Sequence, residues 1–194
     1  MRPPQTPFEK QVVQIASLGA WQIVTGGKMV SRLEPVEDPR WEQKTGLFVT
    51  LKIAGVIRGS MGLLESTTSL AESLFDAGQT AATHDERYPP IDNKELLNLE
   101  INVTLLSEIK KLKNPKDLEI GTMGLIISRG EKQGVLLSHV ATENGWDAEQ
   151  FLEATCEKAQ LTHKAWKDPN TLVEYFRSEA FDGGNLVKNI QGYI

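Results

Sequence analysis

Apolar residues recur every three or four positions in three segments of the chain, which is the spacing that lines one face of a helix. Each segment begins at a residue whose side chain can cap a helix, and the second and third place Glu72 and Gln150 where a capping box requires them. The pattern therefore predicts three helices: from Thr6-Pro7 to Gly26-Gly27, from about Ser69 to Thr83, and from Asp147 onward.

Alternating apolar and polar residues predict strands elsewhere. Leu99 to Leu106 alternates most clearly and is typical of a half-buried antiparallel strand. Turn residues between apolar runs predict two hairpins, one over Phe48–Gly62 with its turn at Ala54-Gly55, and one joining Met123–Ser128 to Val135–His139 through residues 129–134. The remaining predictions are an irregular connection over 28–45 that includes Pro35, a last strand over Leu172–Phe181 and a tail over Asn185–Ile194.

The order of these elements indicates the fold class. Hairpins separated by helices favour an α+β fold with a mainly antiparallel sheet over a repeated βαβ series. The chain shows no internal repeat and no break in composition, so residues 1–194 are predicted to form a single domain.

Charge and composition narrow the possible partners. A net charge of −5 and a pI near 5.3 argue against direct nucleic acid binding, which depends on clustered Lys and Arg. The basic cluster of Lys110, Lys111, Lys113 and Lys116 indicates a solvated loop, although it could meet an acidic partner. The chain has one cysteine, no apolar run of membrane-spanning length and no secretory signal, so we expect a cytoplasmic protein.

Arg58-Gly59-Ser60-Met61-Gly62 is the first candidate site. Arg58 could bind a carboxylate or phosphate, and Ser60 could donate a hydrogen bond or act as a nucleophile. The alternative interpretation is a turn or bulge in which the glycines serve backbone geometry and Arg58 pairs with a nearby acid. The surroundings of Ser60 do not match the G-x-S-x-G elbow of hydrolases.

The second candidate is the corner Asp85-Glu86-Arg87-Tyr88-Pro89-Pro90. It combines two acids, a guanidinium and a phenol beside rigid prolines, which is typical of a polar pocket. Asp85 or Glu86 could equally pair with Arg87 and only hold the loop in place.

His139 is the third candidate. It ends a predicted strand, and its imidazole could act as a general base near neutral pH. His84 and His163 are isolated in the sequence, and no spacing typical of metal ligands appears, so no metal site is predicted. Cys156 falls on the apolar face of the third predicted helix, which favours buried packing over reactivity.

Taken together, these motifs resemble the AMMECR domain family, whose microbial members are called protein A of the AmmeMemoRadiSam system. The resemblance covers residues 46–181, and the order and spacing of its motifs are specific even though each motif alone is weak. The matching stretches are residues 46–51, 57–62, 81–82, 85–90, 95–96, 120–121, 124–125, 135–141, 145–147, 151–152, 156, 158–159 and 161.

The chain departs from the family pattern at three places. The family hexapeptide has the form Leu-Arg-Gly-Cys-Ile-Gly, and here Ser60 stands in the position of the cysteine. A hydroxyl is far less ionised than a thiol, so a reaction that used a thiolate there would be lost or altered. Ser138-His139 replaces the usual Pro-Gln or Pro-Glu, which could bring an imidazole near the pocket, and Gln160 replaces a usual glycine.

The resemblance implies an α+β fold with flanking helices and two unequal lobes, and motif residues that converge on a cleft. It also implies an association with a Memo-like protein and a radical S-adenosylmethionine protein. Two functions follow: a component that binds a small anionic ligand or a protein partner, which we favour because the cysteine is lost, or a transferase or hydrolase. The candidate ligand-binding residues are Arg58, Gly59, Gly62, Asp85, Arg87 and Tyr88, and the candidate catalytic residues are Ser60 and His139. The sequence identifies no cofactor, substrate or oligomeric state.

Overall fold

A computed structural model describes residues 1–28, 33 and 36–194 of the chain. The helices are α1 (Pro7–Thr25), α2 (Leu70–Thr83), α3 (Ser138–Glu143), α4 (Ala148–Lys158) and α5 (Leu186–Ile190). The strands are β1 (Leu47–Ile53), β2 (Val56–Leu63), β3 (Leu99–Leu106), β4 (Lys110–Lys111), β5 (Met123–Arg129), β6 (Lys132–Leu136) and β7 (Leu172–Asn185). Short 3₁₀ helices cover Pro39–Glu42, Leu96–Asn98, Pro115–Asp117 and Ala165–Lys167.

These elements form two compact units of unequal size, one of Met1–Leu105 with Glu179–Ile194 and one of Leu106–Ser178. Their strand pairs are antiparallel, which confirms the predicted α+β class with a mainly antiparallel sheet. The assignment of residues 1–194 to a single domain stays a prediction.

The first unit places helices on a sheet whose strands run in the order β2-β1-β3-β7. Alternate residues of β1, namely Leu47, Val49 and Leu51, are fully buried in the core of this unit. The predicted capping boxes exist, because the hydroxyls of Thr6 and Ser69 accept hydrogen bonds from the N–H groups of Glu9 and Glu72. These caps satisfy backbone donors that the first turn of a helix leaves free.

The second unit has the strand order β6-β5-β7, with the short strand β4 on the other side of β7. Helix α4 begins at the predicted cap, Asp147, and contributes Phe151, Leu152 and Cys156 to the core of this unit. Burial raises the pKa of the Cys156 thiol, which is consistent with the predicted packing role.

Four details of the sequence-based predictions are wrong. β3 is not half-buried, because Asn102 and Thr104 on its polar face are also buried. The turn between β5 and β6 is the pair Gly130-Glu131 and not residues 129–134. The last strand continues to Asn185, and the predicted tail contains α5. Residues 28–45 include the 3₁₀ helix Pro39–Glu42, while Pro35 lies outside the described residues.

His139 does not end a strand. β6 stops at Leu136, and His139 is the second residue of α3. The helix ends at Asn144-Gly145, where Gly145 has a φ of 66° and the N–H of Trp146 donates to the carbonyl of Ala141 at 2.9 Å. Gly after Asn at the end of a short helix is a helix-ending signal, and the strand interpretation did not take it into account.

Candidate functional site

The first candidate motif begins with a β-bulge in β2. Lys52 pairs with Ile57 and Leu51 pairs with Gly59, so Arg58 is an extra residue without a partner in β1. A bulge of this kind shifts the register of all following residues by one. It therefore decides which side of the sheet Ser60 faces, and Ser60 comes to lie opposite Thr50.

Gly59 faces α2, and only a glycine fits there. A Cβ atom on Gly59 would lie 1.9 Å from the carbonyl oxygen of Ala81, in the last turn of α2. This close approach fixes β2 against the end of the helix that leads into the Asp85 corner. Gly59 therefore positions the neighbouring candidate residues.

Ser60 uses its side chain and its backbone in different directions. Its hydroxyl oxygen lies 2.8 Å from the hydroxyl oxygen of Thr50 on the neighbouring strand. Its N–H donates to Oδ2 of Asp85 at 2.8 Å, so this N–H faces away from β1, toward the outer edge of the sheet. Thr50 is not among the residues predicted from the sequence, because only the bulge at Arg58 brings it opposite Ser60.

Asp85 and Arg87 together cover the edge of β2 at Ser60. The Arg87 guanidinium donates to both Asp85 oxygens, from Nε to Oδ1 at 2.8 Å and from Nη2 to Oδ2 at 2.7 Å. Nη2 also donates to the carbonyl oxygen of Ser60 at 3.1 Å. The ion pair thus satisfies the N–H and the C=O of Ser60, which is what another strand would do at that edge.

These contacts keep the Asp85 carboxyl ionised. Its hydrogen bonds with the Arg87 guanidinium lower the pKa of Asp85 to about 2, although the burial of the side chain acts in the opposite direction. The backbone N–H groups of Ser60 and Arg87 contribute to this lowered pKa in the same direction as the guanidinium. A carboxylate with so low a pKa is a weak base near neutral pH.

Arg58 is paired in the same manner with Glu95. Nε and Nη2 of Arg58 donate to the two Glu95 oxygens at 2.7 and 2.9 Å, and Nη1 donates to the carbonyl oxygen of Pro89 at 3.2 Å. The guanidinium lowers the pKa of Glu95. The alternative in which Arg58 pairs with an acid thus matches these contacts, and Glu95 is a partner that the sequence analysis did not name.

Arg87 and Gly62 are the candidate donors of this region. The Arg87 side chain is 58% exposed, and its Nη1 has no acceptor among the residues that the structure describes. Its guanidinium carbon lies 5.5 Å from the centre of the Tyr88 ring. Gly62 is exposed and lies two residues beyond Ser60 in the same strand, which is the spacing at which a regular strand repeats the direction of its N–H groups.

The structure thus places seven of the eight candidate residues in the first unit. Six of them surround the contact of Ser60 with Asp85, and the seventh, Arg58, lies beside its partner Glu95. His139 belongs to the second unit, in α3. Among the described residues, no group of three or more His, Cys, Asp and Glu side chains is arranged to hold a metal ion.

A cavity of about 910 Å³ lies elsewhere in the first unit. None of the candidate residues lines it. Its walls include Ile15, Trp41 and Phe75, and five carboxylates also face it: Glu37, Asp38, Glu42, Glu72 and Asp76. Acids at this density would repel an anionic ligand, so the cavity does not suit the ligand class that the sequence predicts.

Fold and motifs together define an α+β protein in which a glycine-rich bulged strand meets an Asp-x-Arg corner. The AMMECR1 family model matches residues 14–181, so the chain belongs to this family. It is 36% identical over 178 residues to a protein of Methanothermobacter thermautotrophicus, covering 89% of this chain and 92% of that one.

Two further similarities agree with this assignment. The chain is 35% identical over 180 residues to protein MK0488 of Methanopyrus kandleri, covering 88% of this chain and 86% of the other. The crystal structure of an uncharacterized protein from Pyrococcus horikoshii, PH0010, is similar with a TM-score of 0.79 and 31% identity over 91% of each chain. None of the described helices is both long and apolar enough to cross a membrane.

Proposed function

We propose that this chain is a binding component without a reaction of its own, and that it holds an oxyanion of a small ligand or partner at the outer edge of β2. Arg87 supplies the positive charge and Gly62 supplies a backbone N–H. As the family resemblance implies, the chain acts together with a Memo-like protein and a radical S-adenosylmethionine protein.

The relative position of the two donors supports this proposal. Nη2 of Arg87 is fixed on the carbonyl oxygen of Ser60, and in an extended strand the next outward-facing group is the N–H of Gly62. One carboxylate or phosphate can therefore receive hydrogen bonds from the guanidinium and from the strand. Charge-assisted hydrogen bonds of this kind are about twice as strong as neutral ones.

The contacts of Ser60 and Asp85 favour binding over serine catalysis. The Ser60 hydroxyl is engaged with Thr50, and the Asp85 carboxylate accepts four hydrogen bonds from Ser60 and Arg87. A serine nucleophile needs a base that takes its proton, and a saturated carboxylate with a pKa of about 2 is unsuited to that role. The alternative, a transferase or hydrolase with Ser60 or His139 as a catalytic residue, would need a different base or a rearranged corner.

Ligand-induced thermal stabilisation tests the proposal. The protein is heated with a panel of dicarboxylates and phosphate esters, since a ligand that binds the folded state raises the melting temperature. We expect at least one oxyanion to stabilise the wild type and Arg40→Ala but not Arg87→Ala. Arg40 is the matched control because it pairs with Asp38 in the same geometry.

Each shift is measured against the melting temperature of the same variant without ligand, so a loss of stability in Arg87→Ala does not enter the comparison. Equal ligand-induced shifts in all three proteins would exclude Arg87 as the anchor. Retention of the shift in Arg87→Lys but not in Arg87→Gln would assign the effect to the positive charge.

The association with partners is tested separately. The purified chain is mixed with the Memo-like and radical S-adenosylmethionine proteins of the same organism and analysed by size-exclusion chromatography with light scattering. A complex that weakens in Arg87→Ala and persists in Arg40→Ala is expected. Independent elution of all three proteins at micromolar concentration would contradict this part of the proposal.

A further inference from the structure

The cavity of about 910 Å³ in the first unit has walls from α1, α2 and the segment before β1. The first two turns of α2 and residues 36–42 line it, and α1 contributes Ile15 and Leu18. Its volume lies within the range of about 300–1,000 Å³ that is typical of small-molecule sites. Ile15, Trp41 and Phe75 are only half-buried, so the cavity presents apolar surface that a ligand can cover.

The wall formed by residues 36–42 is held against α1. The N–H of Val36 donates to Oε1 of Gln11 at 2.8 Å, and Nε1 of Trp41 donates to the carbonyl oxygen of Val36 at 3.1 Å. The centre of the Trp41 ring lies 4.6 Å from that of Phe8, a buried residue of α1. Because these contacts fix the wall without a ligand, binding does not require the wall to become ordered.

The charge at this cavity is negative and only partly balanced. No Lys or Arg side chain lines it among the residues that the structure describes. Asp38 is paired with Arg40, and Glu72 accepts hydrogen bonds from the N–H and the hydroxyl of Ser69. Three exposed carboxylates of the cavity have neither an ion pair nor a hydrogen bond within the described part of the chain: Glu37, Glu42 and Asp76.

These carboxylates are not grouped as a metal site. Within residues 1–28, 33 and 36–194, no three His, Cys, Asp or Glu side chains are arranged to hold one metal ion. Glu37 and Glu42 belong to the segment before β1, whereas Asp76 belongs to α2. The charges are therefore distributed over two walls of a cavity that is otherwise mostly apolar, which suits an extended cation with several separated charges better than a compact ion.

We propose that this cavity binds a linear aliphatic polyamine. Its ammonium groups pair with the three unpaired carboxylates, and its methylene segments cover Ile15, Trp41 and Phe75. An ammonium group is also attracted to the face of an aromatic ring, which Trp41 and Phe75 can supply. Burial of the methylene segments adds a favourable free energy that a hydrated inorganic ion does not gain.

The size of the cavity favours a small molecule over a partner helix. A helix that docks in a groove needs pockets for anchors at positions i, i+4 and i+7, whereas this cavity has the volume of a single small-molecule site. The proposal is independent of the one for the edge of β2, because no candidate residue of that edge lines the cavity and the two ligands have opposite charges.

NMR spectroscopy of the indole groups tests the site directly. The chain has four tryptophans, and Trp41→Phe assigns the signal of interest. On titration with spermidine at constant ionic strength, we expect a saturating shift of the Trp41 Nε1–H signal and small changes in the other three. The variant Glu37→Gln/Glu42→Gln/Asp76→Asn keeps the shapes of the side chains and should weaken the apparent affinity at least about 10-fold, since each carboxylate contributes to binding the same ligand.

The control variant is Glu86→Gln/Glu131→Gln/Glu143→Gln. It removes as many negative charges from exposed side chains that do not line the cavity, so it changes the net charge of the protein equally. This control should bind spermidine as the wild type does, and so should Arg87→Ala, which separates the result from that for the edge of β2. A shift that does not saturate, or equal affinities in the two triple variants, would overturn the proposal.

Two further titrations examine other occupants. Mg²⁺ has no methylene segments, so at the same ionic strength it should not reproduce the Trp41 shift. An equal response to Mg²⁺ would mean that the acids only collect counterions, and would contradict polyamine binding. A basic amphipathic peptide that binds more tightly than spermidine would likewise contradict it and assign the cavity to a protein partner.

Discussion

Two corners of the first unit have the same local structure. In each, an aspartate binds the arginine two residues later: Asp38 with Arg40, and Asp85 with Arg87. The Nε···Oδ1 distance is 2.8 Å in both, and the Nη2···Oδ2 distances are 2.6 and 2.7 Å. Hydrogen bonds with the arginine lower the pKa of each aspartate to about 2.

The corners differ in what the guanidinium meets next. That of Arg40 lies 3.8 Å from the centre of the Phe8 ring, beside a 3₁₀ helix that Asp38 caps. That of Arg87 reaches the backbone of Ser60 at a sheet edge and remains 58% exposed. The ion pair is therefore a local structural device in both places. The guanidinium of Arg87 is the more exposed of the two, at 58% against 35%, and it lies beside a strand edge; that difference is the basis of the proposed binding function.

The largest expected effect on stability is that of a substitution in β2, the strand that the Asp85–Arg87 corner contacts. Gly59→Ala places a methyl group 1.9 Å from the Ala81 carbonyl oxygen, so β2 and α2 must move apart. We expect a loss of about 3 kcal/mol in the free energy of unfolding in urea. The Arg87 Nε–H signal in NMR spectra should change while that of Arg40 does not.

Gly192→Ala is the control for this substitution, because nothing lies within 4 Å of the added Cβ. It should alter stability by less than about 0.5 kcal/mol. If Gly59→Ala were equally mild, the close approach of β2 to α2 would be refuted.

Removal of each aspartate in turn shows which of the two corners contributes more to the stability of the fold. Asp85→Ala takes away a buried carboxylate and leaves the Ser60 N–H without its acceptor, which should cost about 2 kcal/mol. Asp38→Ala removes a more exposed cap and should cost less. Urea unfolding of both variants measures the difference, and an equal or reversed order would mean that the edge of β2 does not depend on Asp85.

A pH titration compares the two carboxylates. The pKa of each is lowered from 3.8 to about 2 in the folded protein, so each stabilises the fold fully above about pH 4 and loses this contribution as the pH falls toward 2. Asp85→Asn should make stability less dependent on pH in that window. Carboxyl ¹³C chemical shifts report the two titrations separately, and a midpoint near 3.8 for Asp85 would show that Arg87 does not hold it.

The smallest expected effect on stability is that of a substitution outside both corners, which serves as a reference for the larger effects. Gln160 has a φ of 56°, a left-handed conformation that costs side chains other than glycine about 1 kcal/mol. Gln160→Gly should therefore stabilise the protein by up to about 1 kcal/mol in urea, whereas Gln160→Ala should not. Both variants should leave the Arg40 and Arg87 signals unchanged.

The sequence predicted features that depend on neighbouring residues. The caps at Thr6, Ser69 and Asp147 and the hairpin turn at Ala54-Gly55 are confirmed, because each depends on a few adjacent side chains. Membership of the AMMECR1 family, which was predicted from the order of its motifs, is likewise confirmed by the family model that matches residues 14–181.

The sequence did not predict how the candidate site is assembled. With a regular two-residue turn Thr50 would oppose Gly59, and only the bulge at Arg58 brings it opposite Ser60. A bulge depends on how a strand packs against the rest of the fold, here on the contact of Gly59 with α2. For the same reason the partners of Arg58 and Ser60 across the fold were missed, while the pairing of Asp85 with Arg87, two residues apart, was anticipated as one alternative.

The central claim is that the outer edge of β2 binds an oxyanion through Arg87 and Gly62. Its most direct test is the Gly62 amide signal in ¹H–¹⁵N spectra during titration with the oxyanion that most stabilises the protein against heat. The claim predicts a saturating downfield shift of this amide in the wild type and in Arg40→Ala, and no such shift in Arg87→Ala. A Gly62 amide that does not respond, or that responds alike in all three proteins, would contradict it.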